Sequence, residues 1–491
     1  MSKDNYKENE NQLESELDKL NISDNDSSSV NINHKDCYVN YVKSWCKECV
    51  PRCIIEGWTS ENHDIDEFIK DTIYNARPIY NNYDVDYPLF LEWVLFDRFE
   101  DIKQIGEGGF AKVYSATWVD GQAKYERQDD GIWKKKESSP MKVALKKLND
   151  SQNISVEYLN ELQIHWDYFK KNNESFLKFY GMTKDPVTKE FMMIIEFSEK
   201  GNLRSVLSKD FNNILWKDKI IFLRKLSYEL NNFHKLGYCH KDLHSGNVLQ
   251  IYHGGYRSNV SYISDFGLSG PLNKQQSDGK ICGVLPYVAP EVLNKEPYTT
   301  SSDIYSFGVI MAELSSGKPP FHKRKHDAML ALKICNGLRP EFGKGTPEIY
   351  KKLAYRCMNA NPNQRPIAKE LFDILAFWYS STHDNENENE NEYYQEKEKF
   401  GYKGKEIKAI FEEADKEIPN ISTTYEKNPD AIYTSRLFSF NNLSKPINSP
   451  IITSYLNEED NKDCQDSQLL DLEVSSSLQL SREIVDDENS S

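Results

Sequence analysis

Two carboxylates and an amide in a fixed order constrain this chain more than anything else in it. Asp265-Phe266-Gly267 follows HKDLHSGN (His240 to Asn247) and precedes Ala289-Pro290-Glu291. Moving a phosphoryl group onto a hydroxyl asks for one carboxylate facing the hydroxyl and for separate oxygen ligands facing magnesium. Asp242 suits the first task, Asn247 and Asp265 the second. The five positions from Asp242 to Asn247 let a short loop turn one side chain toward substrate and the other toward metal. Any single block arises by chance, but several in this order do not.

Upstream, Ile105-Gly106-Glu107-Gly108-Gly109-Phe110-Ala111-Lys112-Val113 has the composition of a hairpin whose amides can close over phosphates, because glycine has no Cβ in the way. Val143-Ala144-Leu145-Lys146 alternates as a strand does and puts Lys146 on the nucleotide face. Lys147 then points away and reads as a solvated surface lysine. Asn153 to Lys171 carries an imperfect helical stripe, with Glu157 and Glu161 four apart on one face. Glu161 is the preferred partner for Lys146, and losing that pair would free the lysine to swing away, making it an on/off element. Phe191 to Glu196 (FMMIIE) reads as an apolar strand leading into a connector.

In this order, the blocks from Phe99 to Tyr379 resemble a eukaryotic protein kinase domain. The resemblance implies an α+β bilobal fold: a small β-rich N-lobe (99–196) with one regulatory helix, and a larger, mostly α-helical C-lobe (201–379). It implies ATP and Mg2+ as cofactors. Gly106, Glu107, Gly108, Gly109, Val113, Ala144, Lys146 and Glu161 would form the nucleotide site. Ile195 would control access to the back of the pocket, and backbone from Glu196 to Ser198 would take the adenine edge. Asp242 would be the base, with Lys146 and His244 assisting, and Asn247 and Asp265 the magnesium ligands. Glu291 and Arg365 match positions that form a buried ion pair, Asp303 anchors the helix under the catalytic loop, and His240 is a packed support. His165, His322 and His326 are expected on the surface.

Four departures bear on substrate and control. Ala111 stands for the third glycine of the hairpin, a mild change. His244 stands where serine/threonine kinases carry lysine; its neutral ring offers a hydrogen bond but less charge, which predicts slower transfer. Val284 replaces a threonine that bonds the catalytic aspartate. Lys241 replaces the arginine of the usual triplet and attracts a phosphate only as a point charge, so alanine at Ser269 or Ser277 should change activity modestly.

The ends differ in kind from the middle. Residues 1–36 are polar and acidic, and the tail 380–491 opens with NENENENE; both compositions predict disorder, since they bury too little to offset ordering. The segment from about Val119 to Met141 reads as a polar insert that lengthens a surface loop. Between them lies a cysteine-containing extension, 37–98, in which IDEFIKDTIYN forms an amphipathic helix that would pack on the small lobe. Cys37, Cys46, Cys49 and Cys53 are candidate zinc ligands, yet only Cys46 with Cys49 has good spacing. A zinc ribbon, a degenerate remnant of one and free thiols all stay open. The flanks resemble those of an expanded family of fungal kinases in the tyrosine-kinase-like group, with a cysteine-rich stub and a GWTSENHDIDEFI-like segment. The tail blocks Phe411 to Lys416 and Ala431 to Arg436 look familial too, with solvated disorder favoured over a docking role.

Charge speaks by exclusion. A net charge of −16 without a basic stripe argues against nucleic acid and against an anionic membrane surface. The absence of a long apolar run and a charged start predict a soluble, intracellular, cytoplasmic chain, and nine cysteines, an odd number, fit reduced thiols. Protein substrates are the implied partners, and oligomeric state is unreadable. Three functions compete: a protein kinase acting on hydroxyls, serine or threonine ahead of tyrosine or dual specificity; a nucleotide-binding pseudokinase scaffold; and a kinase of the same fold acting on something other than protein. The intact set Lys146, Glu161, Asp242, Asn247 and Asp265 favours the first.

Overall fold

The computed structural model describes residues 45, 50–79, 87–109, 111–128, 133–149, 151–172, 177–252, 259–271, 281–383, 393–440 and 442–457. Residues 1–36 and Cys37, Cys46 and Cys49 lie outside these.

The extension supplies the first helix, α1 (His63–Tyr74). Asn62 caps it by accepting a hydrogen bond from the Ile65 amide, and Ile65, Ile69 and Ile73 recur at helical spacing to form a buried face. That face joins Trp45 and the small-lobe residues Leu162, Trp166, Phe179 and Phe191 in one core, as the amphipathic pattern predicted. The small lobe is a six-stranded sheet of β1 (Glu92–Trp93), β2 (Phe99–Glu107), β3 (Ala111–Trp118), β4 (Met141–Leu148), β5 (Phe179–Lys184) and β6 (Phe191–Glu196). Its order is β1-β5-β6-β4-β3-β2, antiparallel except where β1 runs parallel to β5. The sheet thus draws its edge strand from the extension, before Phe99.

The insert between β3 and β4 is more than a lengthened loop. Lys124–Arg127 pairs with Trp133–Lys136 as a hairpin, and Tyr125 and Trp133 pack edge-on against Trp45, 6.2 and 5.5 Å between ring centroids. Two aromatic side chains on one face of the hairpin override the polar average of the segment. Helix α2 (Val156–Asn172) crosses behind the sheet.

The large lobe contains α3 (Leu203–Asp210), α4 (Trp216–Lys235), the hairpin of β7 (Val248–Tyr252) and β8 (Asn259–Ile263), strand β9 (Ile281–Gly283), α5 (Thr300–Ser316), α6 (Ala328–Cys335), α7 (Glu348–Cys357) and α8 (Ala368–Thr382). Helix α5 is buried from Ser302 to Ser316 and forms the lobe's axis. The α+β bilobal expectation therefore holds.

The tail corrects the sequence reading. Residues 393–440 and 442–457 are packed on the large lobe, through α9 (Gly404–Asp415), strand β10 (Arg436–Phe438) and α10 (Pro450–Asn457). Ile407, Phe411 and Ala414 of α9 are buried, and Phe411 lies 5.7 Å from Trp216 and 5.3 Å from Trp378. Asp415 accepts a hydrogen bond from the Trp216 amide at the open N-terminus of α4, a position that favours a carboxylate. Averaging composition over the tail hides these sparse apolar anchors, which gain their worth only against a surface already folded.

Candidate active site

Strand pairing places the lysine. Lys146 sits opposite Val113 on β3 and Met193 on β6, the central position of the small-lobe sheet. Its Nζ bonds the Glu161 carboxylate from α2 and, at 2.9 Å, Asp265 Oδ1. Burial favours the neutral amine, but the two carboxylates outweigh it and hold the Lys146 ammonium well above the usual lysine range. Asp265 shows the complement: partial desolvation opposes ionisation, yet the Lys146 charge keeps it below the ordinary aspartate range. The predicted pair of Lys146 with Glu161 is formed, and Asp265 joins it.

Asp242, His244 and Asn247 come from the loop between α4 and β7. Asp303 of α5 holds that loop from below, accepting hydrogen bonds from the His240 amide at 2.9 Å and the Lys241 amide at 3.0 Å. The His240 ring donates through Nε2 to the Ser264 carbonyl and accepts at Nδ1 from the Asp242 amide, so it supports the loop as expected. Lys241 and Asp265 both have φ near +68°, a left-handed conformation that costs a non-glycine residue of order 1 kcal/mol or more. The Asp303 anchor and the Lys146 bond hold these two conformations in place.

Asn247 donates its amide nitrogen to the Asp242 carbonyl at 3.1 Å, which leaves the amide oxygen as the atom that could bind a metal. Asp265 gives Oδ1 to Lys146 and retains Oδ2. One amide oxygen and one ionised carboxylate are hard donors that suit magnesium, an ion that completes its shell with phosphate oxygens and water. Among the described residues there is no group of three or more His, Cys, Asp or Glu side chains that could cage a metal. The donor set fits an ion shared with a nucleotide.

His244 lies beside Asp242. Its Nδ1 accepts from the Gly246 amide at 3.0 Å, so Nε2 carries the proton, and Nε2 faces Asp242 Oδ2 at 3.7 Å. Val284 is buried in the large-lobe core and offers no hydroxyl to Asp242. In the glycine hairpin, Gly106 pairs with Val113 and Glu107 with Lys112, and the Gly108 amide bonds the Ala111 carbonyl at 2.8 Å. Ile195 is buried opposite Ala144. The Glu196 amide is spent on the Lys178 carbonyl, while Ser198 Oγ closes the connector on the Gly201 and Gln250 carbonyls at 2.8 and 2.7 Å.

Several side chains stand elsewhere than expected. Lys147 is buried and pairs at 2.7 Å with Glu190, the residue just before β6, with the Tyr114 ring of β3 beside its ammonium. His165 is buried, and with Phe179, Phe266 and His240 it forms a file of rings with centroid separations of 5.0, 5.2 and 5.6 Å. His165 follows Glu161 by one helical turn, so its place on the same face was legible from spacing. His322 and His326 are buried too, against Tyr425 and Tyr433 of the tail at 4.7 and 4.9 Å. Of the activation-segment serines, Ser269 bonds the His240 carbonyl at 3.2 Å, and Ser277 lies outside the described residues. Cys53 stands at a short helical turn, Arg52–Ile54; its three candidate co-ligands lie outside the described residues.

Arg204 was missed in the sequence. It reaches Ser245 of the catalytic loop at 3.1 Å, the Tyr287 hydroxyl at 3.3 Å, Glu313 at 3.6 Å and the Tyr433 carbonyl at 3.2 Å. Only the folded chain brings these four together.

Comparison with known proteins agrees with this geometry. The family described as protein tyrosine and serine/threonine kinase matches residues 99–375. A probable serine/threonine-protein kinase of Dictyostelium discoideum is 27% identical over 276 residues, 55% of this chain and 15% of its own length. Two others from that organism are the probable serine/threonine-protein kinase pats1, 29% identical over 294 residues (57% of this chain, 8% of its own), and drkB, 28% identical over 278 residues (55% and 36%). The chain thus matches well under half the length of these relatives.

Proposed function

The chain belongs to the protein tyrosine and serine/threonine kinase family, and from that premise we propose that it transfers the γ-phosphate of ATP to serine or threonine hydroxyls of protein substrates. The observation that carries this reading is the bridge from Lys146 to both Glu161 and Asp265, with Asp242 and Asn247 bonded to each other in the adjoining loop. A gripped phosphate, a metal site and a base are then supplied by three elements that converge on one cleft. Magnesium, bound through Asn247 and Asp265, supplies charge neutralisation on the phosphates.

Asp242 accepts the hydroxyl proton, and the His244 Nε2 proton is directed to the same place. Lys146 holds the phosphates while Glu161 fixes the lysine. Ile195 and the backbone from Glu196 to Ser198 receive the base of the nucleotide beneath Gly106, Gly108 and Gly109. The names of the Dictyostelium relatives support serine or threonine over tyrosine. Asp242, Asn247 and Asp265, all present, support the enzyme over the scaffold reading.

Within the family we place the chain in the tyrosine-kinase-like group, beside the expanded fungal set, on its GWTSENHDIDEFI segment. The net charge of −16 supports a chain without nucleic-acid or anionic-membrane partners, and a cytoplasmic setting is part of the same proposal. For Cys37, Cys46, Cys49 and Cys53 a zinc ribbon, a degenerate remnant of one and free thiols all stay open, and metal analysis of the purified chain separates them.

The test is transfer of radiolabel from ATP to a mixed peptide library, with Asp265→Asn as control. The parent should label peptides, and the variant should lose about a thousandfold, roughly 4 kcal/mol of transition-state stabilisation. Equal background signal from both would return the weight to a scaffold.

A further inference from the structure

Far down the chain, in the tail, a hydroxyl meets the catalytic base. Ser435 Oγ donates to Asp242 Oδ2 at 2.5 Å, across 193 residues of sequence. A general base must lie within hydrogen-bond reach of the proton it takes, and this one does. From the other side the glycine hairpin closes in: Gly109 lies so near the Ser435 carbonyl oxygen that a Cβ on it would clash. Ser435 therefore lies between the loop that covers phosphates and the carboxylate that accepts a proton, which is where an acceptor hydroxyl has to be.

The flanking backbone is bound as a strand. Arg436, Leu437 and Phe438 of β10 pair antiparallel with Gly283, Cys282 and Ile281 of β9, the end of the segment that leads to Ala289-Pro290-Glu291. Side chains alternate as strand addition requires: Phe438 is buried in the large lobe, and Leu437 is exposed. Before Ser435, the tail is fixed by the Ile432 carbonyl on His326 Nδ1 at 2.8 Å, by the Tyr433 hydroxyl on the Pro320 carbonyl at 2.8 Å and by Arg204 on the Tyr433 carbonyl. After it, Asn294 bonds the Ser444 carbonyl at 2.7 Å, and Asn448 Oδ1 accepts from the Ala360 amide at 2.8 Å. Contacts on both sides leave Ser435 little freedom to be elsewhere.

We propose that residues 431–440 are a built-in substrate and that Ser435 is phosphorylated within its own chain. The inference rests on the kinase reading above. In the step, Ser435 Oγ forms a bond to the γ-phosphorus of ATP, and the bond from that phosphorus to the β,γ-bridging oxygen breaks, its electron pair leaving with ADP. The hydroxyl proton passes to Asp242 and then to solvent. While seated, the strand fills the place an external protein would take. Once phosphorylated, Ser435 carries added negative charge beside Asp242, and like-charge repulsion drives it out. The tail is thus a lock that the enzyme opens by acting on it.

The full chain is incubated with Mg-ATP and its phosphosites mapped, beside Asp242→Asn and Phe438→Asp, the latter chosen to unseat the strand without touching the base. The parent accumulates phosphate on Ser435 at a rate unchanged over a roughly hundredfold range of protein concentration, as an intramolecular reaction must be. The Asp242→Asn chain does not. Without nucleotide, amide exchange reports seating alone: residues 436–438 and 281–283 are protected in the parent and lose protection together, by about tenfold or more, in Phe438→Asp. Labelling of an added peptide library with Ser435 left bare would overturn this proposal alone, as would a Ser435 rate that rises with concentration or free exchange at 436–438 in the parent. Failure of both the parent and Phe438→Asp to label anything would overturn the kinase reading with it.

Discussion

His165 packs against Phe266, ring centroids 5.2 Å apart, with its Nδ1 buried and unbonded among the described residues. Burial, aided by the Lys146 charge, pushes its pKa from 6.5 down to about 3. In the unfolded chain the same ring protonates near pH 6.5. Protons then bind the unfolded state alone, so stability present above that pH is lost as pH falls, by up to about 1.4 kcal/mol per unit, until about pH 3. Urea unfolding of the parent should lose about 1.4 kcal/mol more than His165→Phe between about pH 7.5 and 5.5. Parallel losses in the two proteins would show that His165 takes up its proton equally in the folded and the unfolded chain.

Lys146 has two anionic neighbours, and only Asp265 is a proposed metal ligand. Glu161→Gln removes the charge that fixes the lysine while keeping a group of similar shape. A neutral amide is cheaper to bury than a carboxylate, so the fold should tolerate it. Transfer to peptide should fall by about a hundredfold in kcat/KM, roughly 2.7 kcal/mol, with the melting temperature nearly unchanged. Activity within about threefold of the parent would mean that Asp265 alone suffices to hold Lys146.

The cleft was legible because its chemistry is local in sequence. Lys146, Glu161, Asp242, Asn247 and Asp265 each lie in a short block whose residue types follow from the reaction, and the structure brings all five together. What was illegible depends on distant partners. Lys147 reads as solvated until Glu190 faces it, and His326 until the tail carbonyl of Ile432 covers it. Ser435 shows the limit best: it lies in the tail block Ala431 to Arg436 that looks familial, yet nothing in that block says what the serine meets, and its meaning comes from Asp242.

Arg365 and Glu291 form a two-pronged pair, 2.7 Å at each contact, with both side chains almost fully buried. Arg365 also donates to the Asn359 and Ser301 carbonyls, tying the last helices to the segment that ends at Glu291. Removing one partner strands the other charge, so Arg365→Met should cost about 3 to 5 kcal/mol in denaturant unfolding. Adding Glu291→Leu should return more than half of that, since the stranded carboxylate is then gone. A single substitution costing under about 1 kcal/mol would place the pair among those that solvent screens.

Phe411 tests whether the tail belongs to the fold. It is buried on α9 between Trp216 of α4 and Trp378 of α8, in the same core that holds the axis helix α5. Lys219 sits above Trp216 in this cluster at 4.6 Å, its pKa pushed down to about 7 by burial, which the Asp415 charge only partly opposes. If α9 is integral, Phe411→Ala opens a cavity among rings that cannot collapse, and should cost about 3 to 5 kcal/mol in a single unfolding transition. If α9 were a loosely held appendage, it would detach first. The same substitution would then leave the main transition unmoved and expose residues 404–415 to amide exchange alone.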